Sequence, residues 1–150
     1  MMKSKISVLI LAALICLINI PVSAEDTISS ATIDVSALPD VAAHDDATTL
    51  VVYFSTNDTI RAAALTAADA LDADVFEIEP SVPYTAEDLN YNDSSSRATM
   101  EQRDEATRPD IAAWPENLGQ YDLILLGYPI WWGQAPRILY NFLDKVDVCG

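Results

Sequence analysis

Leu50-Val51-Val52-Tyr53-Phe54 is an unbroken apolar run, and it constrains the fold more than any other segment. Side chains alternate between the two faces of a strand, so a run with no polar face needs cover on both sides. A polar turn follows, Ser55-Thr56-Asn57-Asp58-Thr59, and then a helical stretch with Ile60, Ala64, Leu65, Ala68 and Leu71 as its apolar side. Asp74 to Glu79 reads as a second strand through Val75, Phe76 and Ile78. Strand, helix and strand in so short a stretch form a βαβ unit with a right-handed crossover. Pro80, Pro83 and the Asn/Asp/Ser cluster at 90–96 then break the pattern. A charged helix is predicted from Ser95 to Ala106, closed by Arg108-Pro109. Tyr121 to Gly127 is a third buried strand. Pro136 opens a last helix with Ile138, Leu139, Phe142, Leu143 and Val146 on its apolar side. The fold class is α/β with a parallel sheet.

The N-terminus reads differently. Lys3 and Lys5 precede an apolar run from Val8 to Ile18, Pro21 breaks it, and Val22-Ser23-Ala24 places small residues where a signal peptidase cuts. The run is shorter than the roughly 20 apolar residues of a membrane span. Residues 1–24 are therefore expected to be a signal peptide, cleaved after Ala24 and directing the protein out of the cytoplasm, with an uncleaved anchor as the alternative. Ile15 is too bulky for lipoprotein processing at Cys16, and no twin arginine is present. Residues 25–48, rich in Ser, Thr, Asp and Ala, read as a flexible linker, and 49–150 as the domain.

Composition removes whole classes of function. With 8 basic against 23 acidic residues and a net charge of -15, the chain lacks the clustered cations that nucleic acid or an anionic membrane would require. His44, the only histidine, lies in the linker, so neither a Ser-His-Asp relay nor a multi-His metal site can be built in the domain. Asp45-Asp46 lacks the Gly and closing Glu of a calcium loop. Beyond the leader Cys149 is the only thiol, with no base nearby to activate it. No catalytic side chain and no metal set is assigned.

Two loops carry the remaining chemistry, and both follow carboxyl ends of strands, where open α/β sheets bind ligands. Ser55 to Thr59 sets three hydroxyl side chains and several amides at a helix N-terminus, a suitable cradle for phosphate. The same residue types also serve as ordinary helix caps. Tyr128-Pro129-Ile130-Trp131-Trp132-Gly133 offers two adjacent indoles, either as a ligand wall or as a small satellite core. Together the loops suit an elongated ligand with an anionic tail and a flat conjugated head.

Tyr53-Phe54-Ser55, Glu77-Ile78-Glu79-Pro80, Pro83-Tyr84, Glu101-Gln102, Arg108-Pro109 and above all Gly127-Tyr128-Pro129-Ile130-Trp131-Trp132-Gly133 resemble the flavodoxin-like proteins, in the branch of exported flavodoxins and flavodoxin-type oxidoreductases. The resemblance covers Thr49 to Gly150. It implies a three-layer sandwich around a five-stranded parallel sheet of order 2-1-3-4-5, FMN as cofactor, and electron transfer or flavin-dependent reduction as activity. Its phosphate loop falls on Ser55, Thr56, Asn57, Asp58 and Thr59, and its ring-contacting loop on Pro129, Ile130, Trp131, Trp132 and Gly133. The expected partner is a redox protein with a basic surface, since complementary charge speeds encounter, or a small-molecule acceptor such as a quinone. The many carboxylates are expected to disfavour anionic reduced flavin and lower its potential.

The chain departs from the family pattern in its first loop, which is one residue shorter, has no glycine, and sets Asp58 beside the expected phosphate. It also has sequence for strands 1–3 only, which would leave strand 3 as an open edge. A flavodoxin-like domain that no longer binds flavin, serving as a binding module or an inactive truncated remnant, is the alternative reading.

Overall fold

The computed structural model describes residues 7–12 and 48–146. Its elements are β1 (Ser7–Ala12), β2 (Thr49–Tyr53), α1 (Asp58–Leu71), β3 (Asp74–Glu77), α2 (Arg97–Arg103), a 3-10 turn (Leu118–Gln120), β4 (Leu123–Tyr128) and α3 (Arg137–Lys145). All strand pairs are parallel, in the order β1-β4-β2-β3. Within the domain this is the expected 2-1-3 arrangement of an α/β sheet. The edge of β4 that was expected to be open is paired with Ser7–Ala12, part of the apolar run read as a leader. The cleavage site, residues 25–47 of the 25–48 linker, His44, Asp45-Asp46 and Cys149 lie outside the described residues.

The period-2 alternation of the two central strands divides the core. Val51, Tyr53 and Leu125 point to one face and meet Ile60, Ala64, Ala67 and Ala68 of α1. Leu50, Val52, Ile124 and Leu126 point to the other and meet Ile138, Leu139 and Phe142 of α3, with Phe54 and Tyr128 at the strand ends. Each such aliphatic side chain contributes about 1.5–3 kcal/mol through burial. On α1 the buried positions follow the steps of three and four residues expected of one helix face. Leu65, placed on that face from the sequence, is 46% exposed because it sits five residues after Ile60, well round the cylinder. At Gly127 an added Cβ would make only ordinary contacts, with Tyr53 Cβ at 3.4 Å and Ala64 Cβ at 3.9 Å.

Of the boundaries that differ from the sequence reading, three are set by competing local hydrogen bonds. β3 stops at Glu77 because the chain turns to pair with 110–112, Ala112 N–H donating to Glu79 O at 2.8 Å. α2 ends at Arg103 because the Asp104 carboxylate accepts from Ala106 N–H at 3.0 Å and Thr107 Oγ1 at 2.9 Å. β4 starts at Leu123 because Tyr121 closes the 3-10 turn.

The sheet is tied to α1 by Tyr53, whose hydroxyl donates to Glu77 Oε2 at 2.7 Å, with Arg61 Nη2 3.8 Å from the same oxygen. Burial, reinforced by Glu77, pushes the Tyr53 phenol up to about 12. A free phenol titrates near 10, so this group stabilises the fold fully below that pH and loses its contribution as pH rises through the folded value. Burial also raises Tyr84, Tyr91, Tyr121 and Tyr128, all with the same sign. Stability should therefore be level near neutrality and fall between pH 10 and 12. Tyr53→Phe should cost about 1 kcal/mol at pH 8 for the lost hydrogen bond and make that alkaline fall shallower, as denaturation at graded pH would report.

Candidate functional site

Because β2, β3 and β4 are parallel and in register, Tyr53 opposite both Gly127 and Glu77, the segments that follow them leave on the same rim. Phe54 N–H donates to Gly127 O at 2.9 Å and Ile78 N–H to Tyr53 O at 2.7 Å, so the strands end flush. The floor of this rim is a cluster of three rings. Phe54 lies 5.6 Å from Trp131 and 6.1 Å from Tyr84, and Tyr84 lies 5.4 Å from Trp131, all edge to face.

The two indoles have opposite fates. Trp131 is 2% exposed and belongs to the core, so its ring is floor, whereas Trp132 is 42% exposed at the tip of a tight turn. Trp131 and Gln134 exchange both backbone hydrogen bonds at 2.9 Å. The two residues between them have positive φ, 48° at Trp132 and 76° at Gly133. That is the two-residue hairpin turn that requires the left-handed region twice, easy for Gly and strained by about 1–3 kcal/mol for a bulky residue. Trp132 packs on Tyr91 with ring centres 4.5 Å apart at 35°. Pro129 and Ile130 are half-buried below the tip.

Strain at an exposed aromatic tip makes a prediction. Trp132→Asn replaces a strained residue with one that tolerates left-handed backbone, and loses the Tyr91 contact; these terms are similar and opposite. The urea midpoint should correspond to a stability within about 1 kcal/mol of wild type. A much larger loss would make the Trp132 ring a structural element rather than one presented to a ligand.

Across the rim, the turn before α1 uses part of its own polarity. Asn57 is the N-cap, its Oδ1 accepting from Thr59 N–H at 3.1 Å. Ser55 Oγ donates to Asn57 O and accepts from Asn57 N–H. The capping reading thus accounts for Ser55 and Asn57. Thr56 and Thr59 are exposed and their hydroxyls have no partner among the described residues. The amides of the first turn have no acceptor within the helix, and the dipole is positive there. Asp58 is exposed as the first helical residue. It complements the dipole but opposes an anion.

Residues after β3, given no individual role from the sequence, support the rim. Tyr84 donates its hydroxyl to Glu101 Oε2, Arg97 Nε donates to Glu101 Oε1 at 2.7 Å, and the Arg97 guanidinium lies 4.2 Å above the Tyr84 ring. Burial and the Glu101 contact hold the Tyr84 phenol well above its ordinary range, so it stays a donor. Gln102, 7% exposed, clasps the indole loop from α2. Its Nε2 donates to Trp131 O at 3.2 Å and Ala135 O at 3.3 Å, and its Oε1 accepts from Arg137 N–H at 3.0 Å. Pro83-Tyr84 and Glu101-Gln102 belonged to the resemblance, which was the one sign of them in the sequence.

A parallel sheet with α1 on one face, α3 on the other, and polar and aromatic loops gathered at its carboxyl rim is the doubly wound α/β class, whose members bind ligands at that rim. The chain belongs to the flavodoxin family, whose model matches residues 48–150. It is similar to two solved proteins, each described as a "putative flavoprotein". The one from Bacteroides eggerthii DSM 20697 is 41% identical with a TM-score of 0.65, over 66% of this chain and 62% of that one. The one from Bacteroides uniformis ATCC 8492 is 41% identical with a TM-score of 0.64, over 66% of this chain and 64% of that one. This chain thus spans less than two thirds of the length of either. No curated protein matches it.

Proposed function

We propose that the chain binds FMN across this rim and acts in electron transfer. One observation carries the reading: the turn with two free threonine hydroxyls at a helix N-terminus and the loop with an exposed indole on strained backbone follow the carboxyl ends of neighbouring strands that are in register. The residues present fit the group. Thr56, Thr59 and the first-turn amides of α1 would hold the phosphate, with Ser55 and Asn57 shaping the turn. Trp132 would stack on the ring while Pro129, Ile130 and Gly133 bring loop backbone to its edge; Trp131 supports them from beneath. Bound flavin supplies one- or two-electron redox chemistry. The chain's own part is to orient it, exclude water from one face, and surround it with negative charge. With a net charge of -15, the surrounding carboxylates disfavour an anionic reduced ring. The bound potential should therefore lie below that of free FMN and rise with salt, as redox titration at several ionic strengths would measure.

Asp58 and the absence of glycine at 55–59 favour the alternative of a flavin-free binding module. Titration of the purified chain with FMN separates the two. Saturable quenching of flavin fluorescence supports a flavoprotein. No quenching in the chain as it stands, with quenching gained after a glycine is inserted in the 55–59 turn, supports the alternative. The acidic surface suits a basic redox protein as partner, or a small acceptor such as a quinone. We also propose export, with residues 1–24 as signal. Cleavage after Ala24 would remove β1 and expose the edge of β4, and N-terminal sequencing of the exported product tests this.

A further inference from the structure

In so acidic a chain, arginines are expected to be neutralised, and three of them are. Arg61 lies by Glu77, Arg97 by Glu101 and Arg108 by Asp144. Arg103 and Arg137 have no carboxylate partner among the described residues, and both line one cleft of about 360 Å³ beside the rim. Thr99, Gln102, Glu105, Gln134 and Trp132 complete its walls.

Arg137 is the unusual member. It is 4% exposed, and a buried guanidinium without a counter-ion is costly. Its Nη2 donates to Gln102 O at 2.8 Å and Gln134 Oε1 at 3.2 Å, both neutral acceptors, and its Nε has no partner among the described residues. Tyr140 covers it at 5.2 Å. Asp104 is near enough to feel its charge, but that carboxylate is held by Ala106 N–H and the Thr107 hydroxyl. Arg103, exposed on α2, uses one nitrogen on Ser94 O at 3.1 Å. Glu105 is the one carboxylate on the wall, so an occupant also meets an acceptor suited to a hydroxyl or amine.

We propose that this cleft binds a small planar carboxylic acid, its carboxylate on Arg137 and Arg103 and its ring against Trp132. The acid supplies the missing counter-ion, its oxygens meeting the Nη1 group of Arg137 and the guanidinium of Arg103, and the indole supplies a flat apolar wall. Trp132 also belongs to the loop assigned to the flavin ring, and Tyr91 already packs on that indole, so acid and flavin would compete for its remaining face. Binding of the acid does not require flavin, and its test is made without it.

The test is calorimetric titration of the purified full chain, free of FMN, with benzoate and with benzamide, which has the same shape and no charge. Benzoate should bind saturably and at least about tenfold more tightly than benzamide, the worth of one charge-assisted hydrogen bond. Its affinity should weaken with salt. Arg137→Met should abolish the preference for the acid. Because that variant also disturbs buried hydrogen bonds, Arg103→Gln, on the surface, serves as the second: it should weaken benzoate about threefold or more and leave benzamide unchanged. Trp132→Ala should weaken both probes. Equal affinity for benzoate and benzamide, no saturable binding of benzoate, or an unaltered preference in Arg103→Gln would overturn the proposal, whatever FMN does.

Discussion

Trp131→Ala should lower the stability of the domain by about 3–5 kcal/mol, the usual cost of removing a large buried ring. Trp131 is 2% exposed, its ring meets Phe54 and Tyr84 edge to face, and its carbonyl is held by Gln102. Nothing nearby can collapse into the space without moving the ends of the strands, because Phe54 is hydrogen-bonded to Gly127. Urea denaturation should show the midpoint falling with the slope unchanged. Trp131→Phe should recover more than half of the loss by keeping an aromatic floor. A loss below about 1 kcal/mol for Trp131→Ala would mean that the ring is not core, and that the floor of the rim is wrongly assigned.

Gln102→Leu should be nearly as damaging, by about 3 kcal/mol, although the shape is conserved. The amide is a two-sided clasp. Its loss strands the Ala135 carbonyl and the Arg137 N–H, and leaves the Trp131 carbonyl with only its bond from Gln134 N–H. Each buried orphan costs roughly 1–3 kcal/mol, less whatever water can recover. A purely structural effect would appear only in the midpoint. The clasp also predicts faster amide exchange at Trp131 and Gln134, because their paired hydrogen bonds lose their anchor on α2. Gln102→Glu keeps the acceptor for Arg137 N–H and loses both donated bonds, so it should fall between wild type and leucine. Unchanged exchange in the leucine variant would show that the turn is held by its own hydrogen bonds alone.

Much of the scaffold was legible in the sequence because burial on two faces leaves a continuous apolar run. Leu50 to Phe54 and Leu123 to Leu126 could be only inner strands, and the small residues of α1 faced them at helical spacing. Segment ends were less legible. At Asp104 a side-chain carboxylate outcompetes the helix for the following amides, and propensity alone does not report that competition. Leu65 misled because an apolar residue five positions along a helix points elsewhere. Ser7–Ala12 read as part of a leader on its charge pattern, and its pairing with β4 depends on an edge that only the assembled sheet provides.

The site was legible as a place and not as an arrangement. Parallel strands guarantee that the loops after Phe54 and Tyr128 share a rim. Two identical neighbours, Trp131 and Trp132, cannot be told apart by composition; the turn separates them by carrying the second through positive φ. Without Asn-Gly or Asp-Gly, that turn had no strong signature. Gln102 was hidden for another reason. Its partners lie 29 to 35 residues away, and a buried polar clasp has no local pattern.

The central claim is that the turn at 55–59 and the loop at 129–133 hold opposite ends of one flavin nucleotide. Backbone amide shifts of the isotopically labelled chain during FMN titration read it most directly. Both segments should shift together along one saturation curve, and riboflavin, lacking the phosphate, should move the indole loop while leaving Thr56 to Thr59 in place. Shifts confined to one segment, or identical responses to FMN and riboflavin throughout, would contradict it.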